Sequence, residues 1–145
     1  MECSVSNVSF LNTSGQYKGD VVLEFEMPAV SADMIKSAAV SVTVNNPSTN
    51  RHGTRTYDVY AADISIRNET VIADFDAISL TNSFYTSAGI TEGTTRQDTI
   101  SNENITNYVK SRANAEEAAK IQFAFSNASQ TFNIDPKTAA LTITT

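Results

Sequence analysis

Short stretches in which apolar and polar residues alternate recur along this sequence, and they constrain its fold more than any other feature. Residues 21–27 read VVLEFEM, residues 38–44 read AAVSVTV, and residues 121–126 read IQFAFS. Successive side chains of a β-strand point to opposite faces, so each stretch predicts a strand with one apolar and one polar face. Segments rich in Asn, Ser and Thr separate these stretches. Several such strands without a long helical period between them predict a β-sandwich or barrel.

The alternation also predicts which side chains are buried. The residues expected to face the core are Val21, Leu23, Phe25, Met27, Ala38, Val40, Val42, Val44, Ile121, Phe123 and Phe125. The opposite, solvent-facing set includes Glu24, Glu26, Gln122 and Ala124. The predicted strands are residues 4–10, 20–27, 35–44, 56–61, 71–75, 120–125, 131–134 and 140–144. Residues 78–99 are the least strand-like segment. Thr106 is expected to cap one short helix near residues 106–118.

Length and charge narrow the classes of protein to which the chain can belong. With 145 residues, the sequence is expected to form a single domain over residues 1–145, large enough for a two-sheet core. The net charge of -6 argues against a nucleic-acid partner, because a phosphate binder needs a basic surface. No apolar run approaches the roughly 20 residues of a membrane span, so membrane insertion is not expected.

Six stretches of the sequence resemble one known family. They are DVVLEFEM at residues 20–27, IKSAAVSVTV at 35–44, YDVY at 57–60, ITNYV at 105–109, KIQFAFSN at 120–127 and ALTI at 140–143. Together, residues 20–145 resemble the DNRLRE or disaggregatase-related domains, which are similar to the jelly-roll modules of carbohydrate-binding module family 96. The chain departs from the family in having no Trp after the YDVY strand. The family's N-terminal segment is also not recognisable in residues 4–10.

This resemblance implies both a fold and a function. The fold would be an all-β, two-sheet antiparallel jelly-roll β-sandwich. The function would be that of a non-catalytic carbohydrate-binding or adhesive module in a larger secreted or cell-surface protein, with a polysaccharide or glycan and the neighbouring domains as partners. The alternative is a structural or interaction domain, such as a spacer, fibre or appendage subunit, whose edge strands pair with neighbours.

The sequence contains no recognisable catalytic motif, and we expect no enzymatic activity. His52 is the only histidine, and it lies between Arg51 and Gly53 in a polar turn. A Gly-x-Ser-x-Gly elbow is absent. Glu24 and Glu26 share one strand face, as a glycosidase pair would, but carboxylates two residues apart on an outer face are usually solvated.

The only metal site that we consider is for a structural calcium ion. Asp74 and Asp76 flank Phe75 and are expected to project to the same side, with Asp58 and Asp63 as further oxygen donors. Outward aspartates are also common on the strands of acidic proteins, and no calcium-binding loop motif accompanies them. No other cofactor is expected.

Sugar binding requires an aromatic surface beside planar hydrogen-bonding groups, because a pyranose has an apolar C–H face and a rim of hydroxyls. The candidate ligand-binding residues are Tyr60, Phe84 and Tyr85, with Arg55, Arg96 and Asn82 as polar partners. Tyr60 is predicted to point away from the core, and the other two aromatic residues lie in the least strand-like segment. The structural alternative is that Tyr60 is an ordinary exposed tyrosine and that the loop aromatics close the end of the sandwich.

Overall fold

The structure is a computed structural model that describes residues 1–10, 21–47, 53–63, 82–126 and 133–145. The described residues form eight β-strands, one α-helix and one 3₁₀ turn at Ala32–Met34. The strands are β1 Glu2–Phe10, β2 Val21–Met27, β3 Ser37–Asn46, β4 Asp58–Ala62, β5 Tyr85–Thr86, β6 Thr94–Ile100, β7 Ala119–Ser126 and β8 Asn133–Thr144. The helix, α1, spans Glu103–Arg112.

The strands form two antiparallel sheets of four strands each. The first sheet has the order β1-β8-β3-β6, and the second has the order β2-β7-β4-β5. The N-terminal part of β1 pairs with β8, whereas its remainder pairs with β2, with a register shift between Val5 and Asn7. β1 therefore connects the two sheets.

The pairing shows how the chain is rolled. β1 pairs with β8, β2 with β7, β3 with β6 and β4 with β5, so the second half of the chain folds back along the first. Rolling this double ribbon brings β8 beside β3 and β7 beside β4. This arrangement is the eight-stranded jelly roll, and it confirms the predicted fold class.

The core lies between the sheets and contains the residues that the alternation predicts. All eleven members of the predicted buried set are at most 1% exposed. Phe25 and Phe123, on neighbouring strands of the second sheet, pack edge to face with their ring centroids 6.0 Å apart. Each fully buried side chain of this size contributes roughly 1.5–3 kcal/mol, so these inward faces supply much of the stability of the fold.

The prediction of a solvated outer face is wrong for the centre of the second sheet. Glu24 and Gln122 are each only 6% exposed, and Ala124 is fully buried. Gln122 Nε2 donates a hydrogen bond of 2.9 Å to Glu24 Oε2, and Lys120 Nζ lies 3.7 Å from Glu24 Oε1. Glu26 is exposed, as predicted. Alternation identifies which residues share a face, but it does not determine whether that face meets water.

The prediction that residues 78–99 form a loop is also wrong, because β5 and most of β6 lie within them. The inward positions of β6 are Arg96, Asp98 and Ile100, and only the last of these is apolar. The hydrophobic signal of a strand is therefore missing, although three of the other four positions are threonines, whose β-branched side chains are common in strands.

The predicted helix is present with different bounds. It begins after Asn102, whose Oδ1 accepts a hydrogen bond of 2.9 Å from Ile105 N, and it ends at Arg112 rather than near residue 118. Thr106 is not the cap. Its Oγ1 accepts a hydrogen bond of 3.2 Å from Ala38 N and so joins α1 to β3.

Three further predicted strands have different outcomes. Residues 133–134 and 140–144 of two predicted strands belong to one strand, β8, which contains Pro136 in an irregular stretch between the partners of Ser41 and Thr43. A proline lacks the N–H of a regular ladder, so the interruption of the pairing is expected. The predicted strand at 71–75 lies outside the described residues.

Candidate functional site

The first polar cluster of interest lies at the open edge of the sandwich, where the two sheets are joined by side chains. The Tyr57 hydroxyl, just before β4, donates a hydrogen bond of 2.5 Å to Asp98 Oδ2 on β6. Arg96 binds the same carboxylate through two nitrogens, Nε at 2.5 Å from Oδ1 and one terminal nitrogen at 3.0 Å from Oδ2. We call Tyr57, Arg96 and Asp98 the edge cluster.

The edge cluster is a closed network. The guanidinium of Arg96 also donates to the carbonyl oxygens of Gly89 and Ala88, at 2.9 and 3.1 Å. Its hydrogen bond with Asp98 raises the pKa of Arg96, which therefore stays charged. Burial raises the pKa of Tyr57, and the hydrogen bond to Asp98 raises it further. The chemistry of these groups is used within the fold, so the cluster primarily fastens one sheet to the other.

A different arrangement lies between α1 and the chain that leads into β5. Here an open depression has a volume of about 410 Å³. Its lining consists of three asparagine amides, one hydroxyl and two aromatic rings, from Asn82, Ser83, Phe84, Asn104, Asn107 and Tyr108. This volume is near the lower end of the roughly 300–1,000 Å³ that is usual for small-molecule sites.

The aromatic floor of the depression is fixed by its contacts with the core. The rings of Phe84 and Tyr108 have centroids 5.1 Å apart, and Tyr108 packs edge to face on Phe123 with centroids 5.3 Å apart. The Tyr108 hydroxyl donates a hydrogen bond of 2.7 Å to the carbonyl oxygen of Gln122. Burial raises the pKa of Tyr108, so this phenol remains neutral at ordinary pH.

The polar rim of the depression comes from two segments. Asn104 and Asn107 are exposed and are three residues apart on α1, a spacing that places them on one helix face. Asn82 lies opposite, with a φ of 56°, in the left-handed region that asparagine tolerates better than most residues. Each amide offers both donors and an acceptor, which is the hydrogen-bonding pattern that a ring of hydroxyls requires.

The structure separates the six predicted ligand-binding residues. Asn82 and Phe84 line the depression, whereas Tyr85 packs beside Tyr57 in the edge cluster, with ring centroids 6.3 Å apart. Phe84 packs on Tyr108 and Tyr85 packs on Tyr57, so the rings of these consecutive residues point to different places. Both are partly buried against the core. They therefore also help to close the sandwich, as the structural alternative expects.

The other predicted residues lie elsewhere. Arg96 belongs to the edge cluster. The backbone of Arg55 pairs with that of Ile90, and the buried Nε of Arg55 has no hydrogen-bond partner among the described residues. Tyr60 is half-buried on β4, on the face opposite Val59. Burial raises the pKa of Tyr60, and the charge of Asp58 raises it further.

Sequence reasoning missed four lining residues: Ser83, and on α1 Asn104, Asn107 and Tyr108. Tyr108 and Val109 are both buried. The two asparagines carry no aromatic or charged signal of their own. Their spacing of three residues, on the face next to an inward tyrosine, is the sequence feature that indicates them.

The candidate metal residues Asp74 and Asp76, and His52, lie outside the described residues. Within the described ranges, no group of three or more His, Cys, Asp or Glu side chains is arranged to hold a metal ion. In the same ranges, no helix has both the length and the apolar character needed to cross a membrane.

The described residues form an all-β jelly-roll fold with a small depression beside its helix, which has an aromatic floor and no ionised residue in its lining. In comparisons with known proteins, no family model matches the sequence and no curated protein matches it significantly. A functional assignment therefore depends on the geometry of the depression.

Proposed function

We propose that this chain is a non-catalytic carbohydrate-binding module of a secreted or cell-surface protein and that its ligand occupies the depression beside α1. The observation that supports this proposal is the convergence of three asparagine amides on a floor of two aromatic rings, Phe84 and Tyr108. An aromatic ring packs against the C–H face of a pyranose, and the amides pair with its hydroxyls.

The shape and charge of the depression indicate what kind of glycan it would hold. It is open and small, and a wall of α1 bounds it, which favours one or two sugar rings over a long chain. The lining contains no ionised side chain. An uncharged sugar needs no counter-charge there, and the net charge of -6 disfavours polyanionic glycans at a distance.

The alternative, a structural domain that assembles through its edges, receives less support from the described strands. β5 has only two residues, and β6 carries two inward charges, Arg96 and Asp98. A short edge strand and inward charges are both features that limit pairing between sheet edges. We therefore treat edge assembly as an outcome of the test.

The test combines a glycan screen with paired variants. We expect the protein to be retained on a column of a neutral polysaccharide or to bind in a screen of neutral oligosaccharides. The double variant Asn104→Ala/Asn107→Ala should weaken binding about tenfold or more, because two hydrogen bonds of about 0.5–1.5 kcal/mol each are lost. Asn114→Ala, an exposed asparagine beyond the helix, is the matched control and should bind normally.

Further variants decide between the depression and the other predicted residues. If the ligand occupies the depression, the variants Tyr60→Ala and Tyr85→Ala should still bind it. Loss of binding in either variant would show that the ligand contacts that tyrosine instead. A blank screen, together with oligomers that increase with protein concentration, would overturn the proposal in favour of the structural alternative.

A further inference from the structure

One side chain, Asn102, connects the two walls of the depression. Its Oδ1 accepts the hydrogen bond from Ile105 N that begins α1, at 2.9 Å. Its Nδ2 donates a hydrogen bond of 2.9 Å to the carbonyl oxygen of Phe84. A single amide therefore caps the helix that carries Asn104 and Asn107 and also holds the segment that carries Phe84.

Both ends of this connection are next to residues that line the depression. Ile105 follows Asn104 directly, and Phe84 follows Ser83. On its other side, Phe84 donates its backbone N–H to the carbonyl oxygen of Val59 at 2.7 Å, which attaches it to β4. The backbone N–H of Phe84 thus attaches this segment to the sheet, and the hydrogen bond from Asn102 to the Phe84 carbonyl oxygen attaches it to the helix.

We infer that Asn102 is a positioning residue that sets the separation between the helix wall and the Phe84 wall of the depression. This inference rests on the proposed function, since it assigns Asn102 a part in ligand binding without contact with the ligand. The chemistry needed is specific to an amide. Asp and Ser cap helices about as well as Asn, but a carboxylate has no hydrogen to donate to the Phe84 carbonyl.

This difference allows the two roles of Asn102 to be separated. In Asn102→Asp the cap is kept, and the new negative charge suits a helix N-terminus. The hydrogen bond to Phe84 is lost, and an oxygen of the new carboxylate faces the carbonyl oxygen of Phe84. These two negative oxygen atoms repel one another. We expect helix content to be unchanged, the affinity for a neutral oligosaccharide that the wild type binds to fall three- to tenfold, and the Phe84 segment to move away from α1.

Two measurements read out the inference. Isothermal titration with that oligosaccharide gives the affinity. Nuclear Overhauser contacts between the ring protons of Phe84 and Tyr108, which are 5.1 Å apart by centroid, report the position of the wall without any ligand. Asn102→Ser, which also keeps a capping oxygen, is the second variant and should show the same loss of ring contacts. It replaces Asn102→Asp in the test if that variant does not fold.

The outcomes separate the inference from the proposed function. Wild-type affinity and intact Phe84–Tyr108 contacts in the folded capping variants would overturn the inference while leaving carbohydrate binding in place. If the wild-type protein binds no oligosaccharide, the proposed function fails. The ring contacts would then still decide whether Asn102 sets the separation of the walls. Lost contacts together with weakened binding support both.

Discussion

The sandwich contains two places where polar side chains lie between its sheets or beside its core, and they differ in what their polar groups do. In the edge cluster, Tyr57, Arg96 and Asp98 bind one another and two carbonyl oxygens, and Tyr57 is only 1% exposed. In the depression, Asn104 and Asn107 are exposed above an aromatic floor. The edge cluster contains an ion pair and the lining of the depression contains no ionised residue, yet the depression is better suited to a ligand. Charge alone is therefore a poor guide to a binding site in this fold, because paired charges stabilise the fold itself.

Among the variants that test this comparison, Asp98→Ala is expected to have the largest effect on the free energy of unfolding. The substitution leaves the Tyr57 hydroxyl and the guanidinium of Arg96 without their shared acceptor. We expect the free energy of unfolding to fall by about 3 kcal/mol, because a hydrogen bond to a charged group contributes about 1.5–3 kcal/mol and the exposed part of Arg96 is screened by water. Urea unfolding measures this change.

The matched control for Asp98→Ala is Gln97→Ala, at the neighbouring outward position of β6. It should change the free energy of unfolding by less than about 0.5 kcal/mol. Equal losses in the two variants would show that the edge cluster does not fasten the sheets.

A smaller loss is expected from Tyr57→Phe, which removes only the hydroxyl. Asp98 keeps its two hydrogen bonds with Arg96, so the carboxylate is still paired. We expect the free energy of unfolding to fall by about 1.5 kcal/mol, within the usual range for one hydrogen bond to a charged acceptor. A loss as large as that of Asp98→Ala would instead point to damage in the packing of the Tyr57 ring.

The last prediction concerns an effect that is close to zero at neutral pH and develops only at alkaline pH. Burial raises the pKa of Tyr57 and Tyr108 above the ordinary value of 10.0, so the folded state favours the neutral phenols. Their contribution to stability is fully present below about pH 10 and is lost as the pH rises further, by at most about 1.4 kcal/mol per pH unit for each group. Urea unfolding between pH 8 and pH 11 should show this decline.

In Tyr57→Phe the decline above pH 10 should be less steep, because one of the two buried phenols is absent. Absorbance titration of the tyrosines checks the cause, since the buried phenols should ionise only as the protein unfolds. Equal slopes for the wild type and Tyr57→Phe would contradict the raised pKa of Tyr57.

The strands with apolar alternation could be predicted from the sequence, and β6 could not. In β3 the inward residues from Ala38 to Val44 are all apolar and buried, so their alternation indicates both the strand and its inward face. In β6 the equivalent positions hold Arg96 and Asp98, whose burial depends on pairing with one another and with Tyr57, 41 residues from Asp98 in sequence. Such pairing is a tertiary property, and no local pattern contains it.

The candidate site shows a similar limit. Asn82 and Phe84 could be selected as an amide and an aromatic residue in an irregular segment. The sequence places Phe84 beside Tyr85, but the chain bends at Phe84, and only a structure shows that Phe84 meets α1 whereas Tyr85 meets Tyr57. The role of Asn102 depends on the same encounter, because its Nδ2 reaches a carbonyl oxygen 18 residues earlier in the chain.

The pairing of β1 with β8 determines how the fold would respond to a mechanical load. The Met1 amino group donates to the carbonyl oxygen of Ile143 at 2.7 Å, and Ile143 N donates back to Met1 O at 2.8 Å. The two strands are antiparallel and these residues lie side by side. A force that pulls residues 1 and 145 apart would therefore break the hydrogen bonds between the strands one at a time. The domain would thus yield at low tension from this corner, whereas a pull directed along β1 would load several of its bonds together.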